Sequence, residues 1–161
     1  MEMLKTPRTF LRRFMAEDLD SILEMESDPA VMIHTGPGRA QTREESKTRL
    51  SKILDHQPQS DLDGYFAVVE KTSKKLIAWF MLLPVNDTVF EIGFMINRSY
   101  WGKGYAFEVC HALTSGALTQ KHINKIMAKV SPENLASINV LQKCNFVRAE
   151  NGEKTMTYFL E

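Results

Sequence analysis

Apolar positions recur along the chain at two alternating periods, and the switches between them lay out the secondary structure. Residues 8–14 read as a first strand. Residues 17–27 follow as a helix: acids occupy its first turn, Leu19, Ile22 and Leu23 recur at helical spacing, and Asp28-Pro29 ends it. A loop at 34–39 carries Gly36-Pro37-Gly38. Thr42-x-x-Glu45 is a capping box that opens a helix to about Leu54, with Leu50, Ile53 and Leu54 as its buried stripe. After a charged, proline-bearing loop at 55–63, strands at 65–70, 76–83 and 89–96 should form an antiparallel meander.

The C-terminal half repeats the alternation. Ala106, Val109, Cys110, Leu113 and Ala117 form one face of a helix that must bury against the sheet. A short buried strand at 126–130 and a helix at 135–143 come next, and strands at 146–150 and 154–160 flank the hairpin signal Asn151-Gly152. A strand, helix, strand crossover makes the fifth strand, 126–130, parallel to the fourth, 89–96. The expected fold is therefore α/β: one domain over residues 1–161, with a mixed, mostly antiparallel seven-stranded sheet and about four helices.

Composition narrows the function classes. With 43% hydrophobic residues the chain can fill one real core. Twenty basic and twenty acidic side chains cancel, so no broad field draws nucleic acid or an anionic membrane. No apolar stretch has the length of a membrane span or a signal-peptide core, which with two cysteines lacking metal-ligand spacing predicts a cytoplasmic protein with reduced, buried thiols.

The chemistry concentrates at residues 100–108, Tyr-Trp-Gly-Lys-Gly-Tyr-Ala-Phe-Glu, where a strand-like stretch turns into the amphipathic helix. Gly102 and Gly104 leave room for a close-approaching ligand, and the helix start offers unpaired N–H groups at the positive end of its dipole. A phosphate or pyrophosphate suits that junction. A P-loop is excluded because the lysine lies between the glycines with no hydroxyl residue after it, and a dinucleotide fingerprint because Phe107 stands where the third glycine belongs.

Trp101, Gly104 and Ala106 instead fall in the first, fourth and sixth slots of a Gln/Arg-x-x-Gly-x-Gly/Ala loop, with Trp101 departing from the usual residue. Downstream, residues 128–146 place Asn134-x-x-Ser137 at the start of a helix and Asn145-Phe146 at its end. Together these resemble the GNAT superfamily of acetyl-CoA-dependent N-acetyltransferases, and the loop is similar to that of the branch that acetylates ribosomal-protein N-termini. Asn145 replaces the family's glycine, which the left-handed helix-ending position tolerates best among other residues. Leu141 stands where many members carry a tyrosine acid, so a mechanism using that tyrosine is excluded.

The resemblance implies that the fourth and fifth strands splay, that the pyrophosphate of acetyl-CoA lies on the backbone of residues 102–106 (Gly102, Lys103, Gly104, Tyr105 and Ala106), and that pantetheine runs beside Phe94, Met95 and Ile96 as a missing strand. Trp101 and Tyr105 brace the loop, Lys103 adds charge or is a solvated loop lysine, and Gly93 permits a bulge or serves ordinary close packing. Asn134 bonds pantetheine or caps its helix. Ser137 bonds the departing sulfur or serves as a cap, and a backbone N–H near Phe94 holds the oxyanion. Glu91 is the candidate base, with Asp28, His34, Glu44 and Glu45 as rivals. The acceptor is a primary amine, recognised by the loops at 34–39 and 55–63. No metal is implied, and a monomer or a homodimer serves equally. A catalytically silent CoA-binding sensor is the alternative.

Overall fold

In the computed structural model, which describes residues 2–151 and 155–161, eight strands form one sheet. They are β1 (Leu4–Lys5), β2 (Thr9–Arg12), β3 (Gly64–Glu70), β4 (Leu76–Pro84), β5 (Val89–Ile96), β6 (Lys125–Val130), β7 (Val147–Asn151) and β8 (Met156–Leu160). Their spatial order is β1-β2-β3-β4-β5-β6-β8-β7. Every neighbouring pair is antiparallel except β5 and β6. These two are the fourth and fifth strands of the sequence reading, renumbered because the two-residue β1 is added. Gly152 of the expected hairpin signal lies outside the described residues.

Among the described residues five α-helices accompany the sheet: α1 (Leu19–Glu26), α2 (Pro29–Met32), α3 (Arg43–Asp55), α4 (Tyr105–Leu118) and α5 (Leu135–Lys143). The fifth is α2. Asp28-Pro29 does end α1, but the same pair starts a new turn, with Asp28 Oδ1 accepting from the Ala30 N–H at 3.0 Å and Pro29 at the first helical position, where no N–H is needed. The capping box of α3 forms as expected: the Glu45 N–H donates to Thr42 Oγ1 and the Thr42 N–H to Glu45 Oε1, both at 3.2 Å. Its buried stripe is Ser46, Leu50 and Ile53, not Leu54, which is 41% exposed. A polar contact decides this, because Ser46 donates to the fully buried carboxylate of Glu26 on α1 at 2.8 Å.

The sheet separates two cores. Leu11, Phe66, Phe80, Phe90 and Ile92 face α4 and α5, while Ala67, Trp79 and Met95 face α1 to α3 with Ile22, Met25, Leu50 and Ile53. Strand alternation produces the division, since successive side chains point to opposite faces.

Candidate active site

The parallel ladder between β5 and β6 stops early. Val89 pairs with Lys125, Phe90 with Ile126 and Glu91 with Met127, after which β5 continues to Ile96 and β6 to Val130 without pairing. The splay inferred from resemblance is thus a feature of the fold. The backbone facing the gap follows from the bonds at each end of β5. Asn97 donates to Ile77 on the β4 side, and the Thr88 carbonyl accepts from Asn124 on the β6 side, so Ile92, Phe94 and Ile96 turn their backbone groups toward the gap. Met95 does not: its backbone pairs with Trp79 and its side chain is buried in the second core. The Ile96 carbonyl is also taken, by the Trp101 indole N–H at 2.8 Å. Phe94, its ring stacked on Phe80 at 5.0 Å, presents the gap with backbone N–H and C=O in mid-strand.

Gly93 makes no bulge. The β4–β5 register runs unbroken through Met81 and Gly93, and a Cβ on Gly93 would lie 2.8 Å from the Met81 methyl, so the glycine serves close packing.

At the C-terminal end of this parallel pair, where open α/β sheets hold their ligands, the chain enters the glycine loop. Gly102 and Gly104 both have positive φ, +71° and +83°, and a Cβ on Gly102 would meet nothing within 4 Å. Gly104 is the N-cap of α4, leaving the first N–H groups of that helix directed outward. Trp101 and Tyr105 do brace the loop, Trp101 through its indole bond and Tyr105 edge-on to Tyr100 at 5.7 Å. Lys103 Nζ lies over the Tyr100 ring at 5.7 Å. Two partners of the loop were not legible in the sequence. Arg8, in the turn between β1 and β2, donates to the Lys103 carbonyl at 2.8 Å, and Glu108 on α4 holds Arg8 in place. Their separation of 100 residues carries no local signal.

The second motif sits at the same end of the sheet, because α5 follows β6 after one short turn. Asn134 Oδ1 accepts from the Ser137 N–H at 3.3 Å and caps α5. The helix start therefore does not depend on the half-buried Ser137 hydroxyl. At the other end, Asn145 has φ +68°, its N–H donates to Gln142 O, and the Phe146 N–H donates to Leu141 O, both at 3.0 Å. This is a Schellman stop, with the buried Phe146 folded back toward Leu141. Asn145→Val should destabilise the protein by about 1 to 2 kcal/mol in denaturant melts, while Asn145→Gly is neutral or mildly stabilising, because a β-branched residue resists this conformation.

Among the candidate bases, Glu91 is half-buried at the vertex of the splay, its side chain on the α1–α3 face with Gly93 and Met95. Two rivals are already committed. Asp28 caps α2 and pairs with Arg98 at 2.5 Å, and Glu45 is brought to about 2 by the Arg39 guanidinium and the Thr42 N–H. A carboxylate held ionised that strongly is a poor proton acceptor near neutral pH. On the Glu91 side of the sheet a cleft of about 600 Å³ is floored by Tyr65, Trp79 and Met81 and walled by Glu44, Arg49 and Lys52 of α3. Helix α3, rather than the loops at 34–39 and 55–63, supplies most of its wall. Among the described residues no three His, Cys, Asp or Glu side chains group as metal ligands, and no helix is long and apolar enough to cross a membrane.

Residues 8–147 match the family described as "Acetyltransferase (GNAT) domain". The uncharacterized N-acetyltransferase p20 of Bacillus licheniformis is 29% identical over 147 residues, covering 91% of this chain and 83% of that protein. A GNAT-family acetyltransferase from Bacillus anthracis superposes with a TM-score of 0.83 at 24% identity, covering 97% of this chain and 95% of that one. A ribosomal alpha-N-protein acetyltransferase in complex with coenzyme A gives a TM-score of 0.83 at 14% identity, over 99% and 97% of the two chains. The family match spans the loop, the splayed strands and the helix that faces them, and the chain belongs to the GNAT family of acetyl-CoA-dependent N-acetyltransferases.

Proposed function

We propose that the protein moves an acetyl group from acetyl-CoA to a primary amine, either a protein N-terminus or a small molecule, by direct attack in the gap between β5 and β6. The observation that carries this reading is the end of the parallel ladder at Glu91 and Met127, which leaves the Phe94 backbone facing a gap that opens toward the glycine loop. Pantetheine, with its two amides, takes the place of a strand there. The pyrophosphate rests on the N–H groups of residues 102–106. The amine enters from the cleft, whose floor residue Met81 lies directly across from Gly93 on β5.

The amine must be neutral to attack. At pH 7 only about one lysine-like amine in a few thousand is neutral, against roughly one in ten protein α-amines. Glu91, directly or through a water, takes the proton as the bond forms; the Phe94 N–H receives the developing oxyanion. Collapse of the tetrahedral intermediate breaks the C–S bond, and Ser137 donates a hydrogen bond to the departing thiolate.

A screen of an amine library with acetyl-CoA, detecting free thiol and acetylated product together, tests the activity and identifies the acceptor. On a lysine-like acceptor, Glu91→Gln should lower kcat/KM most at neutral pH and recover partly toward pH 10, since an amine already neutral needs no base. Profiles of parent and variant from pH 6 to 10 decide it. Superimposable curves would remove Glu91 from the mechanism and turn attention to Glu44 and His34.

A further inference from the structure

Arg8 is held by four separate contacts around the helix that carries the glycine loop. Its Nε donates to Glu108 Oε1 at 2.8 Å, its backbone N–H to Glu108 Oε2 at 2.9 Å, its Nη1 to the Lys103 carbonyl at 2.8 Å, and its guanidinium carbon stands 4.0 Å over the Tyr105 ring. Glu108 is itself fixed by the Thr6 hydroxyl at 2.5 Å, and Thr6 is buried against Thr9 in the turn that joins β1 to β2. Burial pushes the Glu108 carboxyl up, but the bonds from Thr6 and Arg8 outweigh it and bring it below the ordinary carboxylate value. Glu108 is thus held as a carboxylate against the Arg8 guanidinium. Neither proton of Nη2 takes part in these contacts, and Nη2 lies 3.4 Å from where a Cβ of Gly104 would be.

We propose that Arg8 is a positioning residue for the diphosphate of coenzyme A: Glu108 and the Lys103 carbonyl orient its fork so that Nη2 faces the anion at Gly104, and the same bonds hold the loop in its receiving shape. This rests on the reading of residues 102–106 as the pyrophosphate site. Such an arrangement separates two jobs that a surface lysine cannot combine. The planar guanidinium commits its Nε–H, one Nη1 proton and one face to protein and keeps the Nη2 donor pair for phosphate, while Glu108 offsets part of its charge and fixes its rotamer. The tie also links the chain's first hairpin to cofactor affinity, a coupling between segments far apart in sequence.

Calorimetry with coenzyme A and dephospho-coenzyme A, and an NMR titration with pantetheine, which lacks the diphosphate, test the proposal without an acceptor. Arg8→Ala should weaken both nucleotide-bearing ligands by about 10- to 100-fold, the range for a lost charge-assisted hydrogen bond, and leave pantetheine binding where it was. Arg8→Lys, which keeps the charge and the Glu108 pair but loses the fork, should fall between. Equal weakening toward all three ligands, in either variant with a parent-like melting temperature, makes Arg8 a structural brace and overturns the proposal. So does unchanged affinity throughout. A parent protein that binds pantetheine as tightly as coenzyme A would instead remove the pyrophosphate site itself, a result distinguishable because it needs no variant.

Discussion

Replacing Gly104 with glutamate should abolish coenzyme A binding, the largest effect expected of any single change in this protein. Three causes act together. The carboxylate would stand at the N-cap of α4, where on the proposed reading the outward N–H groups and the helix dipole would receive the pyrophosphate, so like charges would meet at the docking point. The side chain also fills space that the ligand's close approach requires. Finally, Gly104 has φ +83°, a conformation that L residues adopt at a penalty of roughly 1 to 2 kcal/mol. Gly104→Ala separates these causes, because it carries the strain without the charge. Calorimetry on both variants should find no measurable binding for glutamate and a partial loss for alanine. Parent-like affinity in the folded glutamate variant would show that the pyrophosphate does not rest on this loop.

Ser137→Ala should lower kcat by about 10- to 1000-fold, the span expected for one partner of a leaving group or oxyanion, with little change in acetyl-CoA affinity. The structure sharpens this expectation. Had the Ser137 hydroxyl capped α5, its loss would appear as about 1 kcal/mol of stability. Asn134 performs that capping by accepting from the Ser137 backbone N–H, a bond that alanine retains. Stability should therefore move little while turnover falls. Single-turnover and steady-state rates on the acceptor found by screening, together with a denaturant melt, make the comparison. A variant with parent-like kcat would leave the thiolate to solvent or to another donor.

Helix-ending and helix-starting chemistry is where local sequence spoke most reliably. Thr42 and Glu45 close a capping box, Asn145 takes the left-handed position, and the glycines at 102 and 104 adopt positive φ, each because the residue type itself favours that backbone conformation or bond. Such preferences act over three or four residues and need no tertiary partner. The alternation of elements and the crossover that makes β5 and β6 parallel were legible for the same reason: period and handedness are properties of the chain.

What tertiary structure decided lies where a residue's partner is remote. Leu54 satisfied the helical stripe of α3 but is exposed, because Ser46 on the adjacent face was claimed by the buried Glu26 from another helix. Asp28-Pro29 read as a stop and proved also a start, since Asp28 could cap what followed. Met95 and Ile96 stood beside Phe94 in the expected cofactor stretch, yet β4 engages the backbone of one and Trp101 the carbonyl of the other. Arg8 joined the loop across 100 residues. The sequence by itself determined the longer strands and helices, though not β1 or α2, together with the capping box of α3, the stop of α5 and the glycine loop. The end of the β5–β6 ladder, the cleft beside α3 and the clamp on Glu108 were decided by packing, because each depends on which distant surface arrives at a residue rather than on what that residue prefers alone.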